Sequence, residues 1–114
     1  LIALSRPAAW AWAYSGGELL FLVLGACYCN DIFREAAKRG MVVKSVAVDV
    51  EGDWGGDPVR AQNVTFSVKV EAEAGEAEIQ DLIVHTDRVA EIHNSLRLGT
   101  PVKLMGVQAV ARRQ

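Results

Sequence analysis

The side chains with most chemistry to offer lie close together in the first third of the chain, where Cys27-Tyr28-Cys29 runs directly into Asn30 and Asp31. A cysteine becomes a nucleophile or a redox centre only as thiolate. Asp31 stands four residues after Cys27; on a helix that is the same face, and a carboxylate there opposes a thiolate unless a cation intervenes. Cys29 points about 200° away from Cys27 on a helix, so the pair cannot close a disulfide without unwinding, although pairing across a two-fold axis stays open. Otherwise both are small apolar side chains of a buried helix. Asn30 and Asp31 are either a hydrogen-bonded network that fixes a dimer register or the polar lining of a ligand cleft. His85 and His93 are eight residues apart, offset by about 80° around a helix, so they do not share the face a zinc-binding pair needs, and no metal site is expected. His85 is read as lining the cleft beside Cys27, and His93 as a surface or helix-end residue. Asp81, Asp87, Arg88 and Glu91 read as a solvated helix face with local ion pairs.

These residues need elements to position them. Ser15-Gly16-Gly17 opens a long helix from about Glu18 to Arg39, stopped by Gly40 where a left-handed C-cap belongs, with Lys38 and Arg39 in its last turn. Its first half is apolar on every face. A chain this short can hardly cover such a helix by itself, so a second subunit is the expected cover. Val42 to Glu51 alternates, with Val42, Val46, Val48 and Val50 on one face and Ser45, Asp49 and Glu51 on the other; Val64, Phe66, Val68 and Val70 repeat the pattern, and the Gly- and Asp-rich stretch from Gly52 to Pro58 turns between them. That is a hairpin. Glu76 to about Glu91 reads as a second helix burying Ile79, Leu82, Ile83 and Val89, with a continuation or kink up to Leu98, and Val102 to Ala111 reads as a last strand. Trp10, Trp12 and Tyr14 call for burial against this chain or another. The order α, β, β, α, β describes one α+β domain over residues 1–114.

Composition narrows the function classes. The 114 residues are 51% hydrophobic and 23% charged, with 12 Lys and Arg against 14 Asp and Glu. Lacking surplus cations, the chain is not expected to have nucleic acid or an anionic membrane as a partner. The longest uninterrupted apolar run, Leu19 to Cys29, has eleven residues, short of the roughly 18 needed to span a bilayer. Two cysteines separated by one residue make no disulfide framework, which fits a reducing, cytoplasmic setting.

Two segments resemble the OsmC/Ohr family of osmotically inducible and organic hydroperoxide resistance proteins. Glu18-Leu19-Leu20-Phe21-Leu22-Val23-Leu24-Gly25-Ala26-Cys27 is similar to its "ELLLAALGAC" stretch, and Ile92-His93-Asn94-Ser95-Leu96-Arg97-Leu98-Gly99-Thr100-Pro101-Val102 to its "VSNTLRxGxPV" stretch. The resemblance implies an intertwined homodimer with long central helices packed between β-sheets, its N-terminal strands short or missing here. It implies no cofactor. It also implies that Cys27 is the nucleophile that a hydroperoxide oxidises to a sulfenic acid. The second, resolving cysteine of the family falls on Ala90, which cannot act. A family carboxylate ten residues before the first cysteine falls on Gly17, with Glu18 one position later. The thiolate-stabilising arginine of the family comes from an N-terminal strand; Arg6 is the candidate there, and Arg88 or Arg97 could supply the cation instead. The expected function is therefore organic hydroperoxide reduction of a one-cysteine type in oxidative stress defence, with Cys27, Cys29, Glu18 and Arg88 as the reacting groups. The alternative is a non-catalytic family member that binds a small apolar ligand in the dimer cleft beside Asn30, Asp31 and His85.

Overall fold

A computed structural model describes residues 16–112. Five elements follow in order: α1 (Gly16–Lys38), β1 (Val43–Gly55), β2 (Arg60–Ala72), α2 (Glu76–Val89) and α3 (Glu91–Arg97). The expectations for Arg6, Trp10, Trp12, Tyr14 and an N-terminal strand lie outside the described residues.

Helix α1 ends as its sequence requires. Gly40 has φ +65°, and the Met41 and Gly40 amides donate to the carbonyls of Ala36 and Ala37 at 3.0 and 3.2 Å, a Schellman closure that a residue with a Cβ would strain. One stripe of α1 is buried: Leu24, Tyr28, Asp31, Ile32, Glu35 and Ala36. Leu19, Leu22, Val23 and Phe33 remain exposed, so this side of the helix has no cover among the described residues. By length and composition α1 is also long enough and apolar enough to cross a bilayer, with 22% of its most apolar stretch buried. The eleven-residue run understated this because Ile32 and Phe33 resume the apolar character after Asn30 and Asp31.

The two strands pair antiparallel, with Val46 opposite Val70, Val48 opposite Val68 and Val50 opposite Phe66. This valine face packs on a core of Tyr28, Ile32, Ala36, Leu82 and Ala90. The other face carries Asp49, Glu51 and Lys69 into solvent, as the alternation requires. Two irregularities alter the expected pattern. A register shift between Val43 and Ser45 leaves Val42 before the strand and half exposed. A second shift, opposite Asn63 at φ +53°, turns Val64 partly outward. The turn is also later than the glycines suggest. Gly52 lies within β1 because a Cβ there would sit 2.8 Å from Phe21 Cζ, and Trp54 stacks on Phe21 with centroids 6.0 Å apart. These contacts carry the strand on to Gly55, and Gly56 at φ +91° makes the turn.

Helix α2 buries Leu82 and Thr86 completely, and the Thr86 hydroxyl is satisfied by the Leu82 carbonyl at 2.7 Å. The chain then breaks at Ala90 (φ −68°, ψ 103°) and restarts as α3, so the two helical pieces are separate. The expected last strand does not form. Residues 100–112 adopt no regular structure, and Val102 is 98% exposed. Alternation gives a segment only the propensity to be a strand; its amides and carbonyls need a ladder partner, and among the described residues no strand supplies one.

Candidate functional site

The buried stripe of α1 fixes where its thiols can point. Tyr28 is fully buried between them, its hydroxyl donating to the Ile83 carbonyl at 2.8 Å. Cys27 and Cys29 therefore flank the core on opposite sides, each half-buried and free. Cys29 faces a shallow recess of about 360 Å³ with Phe21, Leu22, Gly25, Ala26, Val48 and Val50, where burial pushes its thiol pKa up, away from thiolate. Cys27 falls on the stripe of Leu20, Leu24 and Asp31, since positions 20, 24, 27 and 31 lie within about 60° of arc on a helix.

The groups expected to assist Cys27 are dispersed. Gly17 is pressed under the indole of Trp54, where a Cβ would lie 2.7 Å from Nε1, so a carboxylate at this position would have to displace Trp54. Glu18 is exposed one residue on. Ala90 is fully buried in the core. Arg88 is exposed; its backbone carbonyl, not its guanidinium, is engaged, accepting from Asn94 at 2.9 Å. Arg97 is bound to the Asp87 carboxylate at 2.6 Å.

The nearest cation along the Cys27 stripe is Arg34, which sequence reasoning did not single out. It pairs with Asp31 at 3.0 Å, Glu35 at 2.9 Å and Glu91 at 3.4 Å. The Glu35 carboxylate is 6% exposed and also binds Lys38 at 3.0 Å and His85 at 2.8 Å. Hydrogen bonds from Arg34, Lys38 and His85 hold its pKa down at about 2. Burial instead raises that of Asp31, against the opposing pull of Arg34. This cluster fastens α1 to α2. It draws His85 onto Glu35 rather than to a cleft at Cys27, leaves Asn30 exposed, and spends Asp31 on an ion pair. The pockets at His93 and at Cys29 are lined by other residues than these three.

The pocket with converging polar and apolar groups lies elsewhere, at the junction of α1, β1, β2 and α3. It has a volume of about 330 Å³ and is walled by Leu20, Leu24, Val50, Ala61, Val64, Phe66 and Leu96, with His93 and Arg97 as its polar members. His93 is 5% exposed, contrary to the surface position expected of it. Its ring meets Phe66 edge-on with centroids 4.7 Å apart and Tyr28 at 5.5 Å. Neither ring nitrogen has a hydrogen-bond partner among the described residues, and burial, followed by the Arg97 charge, lowers the pKa of the imidazole and keeps it neutral. A buried polar group left in this state is uncommon and marks a place where a partner would be gained. The apolar neighbours of His93 on α3, Ile92 and Leu96, are each more than a third exposed. The restart of the helix at Ala90 sets the rotation that brings His93 inside.

A long apolar helix packed across an antiparallel hairpin, with two thiols near its middle and a short broken helix closing one end, defines a small thiol-bearing α+β fold. The model of the OsmC-like protein family matches residues 10–105, and the chain belongs to that family. Its structure is similar to that of an OsmC-like protein from Mycoplasma pneumoniae, with a TM-score of 0.67 and 19% identity over 81% of this chain and 68% of that one. It is also similar to an OsmC-like protein of unknown function from Vibrio cholerae, with a TM-score of 0.61 and 17% identity over 70% of this chain and 56% of that one. At such identities the likeness concerns the fold. No curated protein matches the sequence.

Proposed function

We propose that this chain acts as a cytoplasmic OsmC-like homodimer that binds a small apolar molecule in the pocket at His93. The observation that carries this reading is the buried imidazole, its two nitrogens unmatched among the described residues, on a pocket wall that is apolar apart from Arg97; a cavity of this size with few polar groups is the usual form of a small-molecule site. The Ala90 and Gly17 positions argue against a two-cysteine reductase, because one lacks sulfur and the other has no room for a carboxylate. The homodimer supplies the cover that α1 lacks at Leu19, Leu22, Val23 and Phe33.

The test is fluorescence of the uncharged probe N-phenyl-1-naphthylamine. Saturable enhancement by the purified protein, abolished when Leu96→Trp fills the pocket, is the expected result; enhancement that survives this substitution would remove the site.

A second reading rests on Cys27 lying about one turn along α1 from Leu24, which lines that pocket. A hydroperoxide held there could transfer its terminal oxygen to the Cys27 thiolate, giving a sulfenic acid and an alcohol, with an external thiol returning the sulfur to its reduced form as a disulfide of that reductant. Brief exposure to cumene hydroperoxide, a sulfenic-acid trap and peptide mass spectrometry decide it. Fast trapping at Cys27, absent in Cys27→Ser and kept in Cys29→Ser, supports this chemistry; no trapping excludes it.

A further inference from the structure

The charges around the pocket select among the apolar molecules that could enter it. Arg97 is its cationic member, but that cation is already matched. Nη2 donates to Asp87 Oδ1 at 2.6 Å, and Nη1 to the Asp87 carbonyl at 3.1 Å and to Asn94 Oδ1 at 3.3 Å. A carboxylate leaving water to enter beside Arg97 would find that guanidinium already paired and the Asp87 carboxylate next to it, at the open end of the pocket where the two side chains are 44% and 41% exposed. A cation would find Asp87 committed and Arg97 opposing it. Burying an ion without a partner is far more costly than burying a neutral hydrogen-bonding group. His93, by contrast, lines the pocket with a ring whose two buried nitrogens have no partner among the described residues, one a donor and one an acceptor in the neutral form. Seven apolar residues make up the remainder of the wall.

We infer that the pocket selects an uncharged amphiphile, an apolar body with one neutral hydroxyl, carbonyl or amide group that hydrogen-bonds to His93, and rejects fatty acids and alkylammonium ions of the same length. This rests on the binding reading above and adds the chemical class of the ligand. The selection resides in the Arg97–Asp87 pair, which makes the polar end of the pocket neutral overall.

The experiment displaces N-phenyl-1-naphthylamine from the full-length protein at pH 7.5 with 1-octanol, octanoate and octylammonium, while the His93 ring nitrogens are followed by NMR. Octanol should compete at a concentration at least tenfold lower than either ion and shift the His93 resonances. The conservative variant Asp87→Asn, which releases the charge of Arg97, should improve octanoate at least tenfold relative to octanol. Octanoate competing as well as octanol in the unaltered protein, or octanol binding with no shift at His93, would overturn the selection while leaving a binding site in place. Failure of the probe itself to bind would overturn the site and the selection together.

Discussion

At the scale of single residues, the thiols are less equipped for chemistry than their motif suggests, and the histidines exchange the roles that sequence assigns them. His85, read as a cleft residue, is tied to Glu35 at 2.8 Å. His93, read as a surface residue, is in the core. No periodicity could have marked this, because a histidine's burial depends on which way α3 restarts after Ala90, a backbone property of one residue. Glu35 gives a prediction. Its folded pKa of about 2 lies below the ordinary carboxylate value, so its contribution to stability is complete above the unfolded pKa and disappears as pH falls from about 4.5 to about 2. Burial of neutral His93 acts in the same direction, since the unfolded imidazole takes up a proton below about pH 6.5 that the folded one resists. Urea midpoints measured from pH 7 to pH 3 should therefore fall steadily, and Glu35→Gln should flatten the lower part of that profile. An unchanged slope below pH 4.5 would mean that the carboxylate is not held as described.

The elements follow the sequence closely where a local rule is strong. Gly40 stops α1 because only a left-handed residue closes that Schellman turn, and Gly40→Ala should lower stability by about 1–2 kcal/mol with no change in the dependence on denaturant. A smaller loss would mean that α1 frays at this end. The alternating valines likewise position both strands of the hairpin. Legibility fails where the decision is tertiary. The glycines at 52 and 55 resemble a turn, but Phe21 and Trp54 extend β1 past them. The apolar alternation after Pro101 resembles a strand, but it lacks a neighbour. In both cases a residue distant in sequence, or its absence, overrides a sound local signal.

For the whole molecule, the exposed side of α1 and the apolar side chains of residues 102–110 are surfaces that no described residue covers. Light scattering coupled to size exclusion should give about 25 kDa, twice the 12.4 kDa of one chain, and Leu22→Asp should reduce that mass toward the single-chain value. A homogeneous 12.4 kDa particle from the unaltered protein would remove the proposed dimer.

Because the chain breaks at Ala90, α3 is a separate piece of seven residues, too short to persist as a helix on its own. It is held by docking, chiefly through Ala90 and His93, whereas the hairpin is held by its own ladder. Amide exchange should then release the protons of α3 well before those of β1 and β2. A guest seated against His93 would slow that release without altering the strands, so the exchange of these few amides becomes a gauge of whether the pocket is filled.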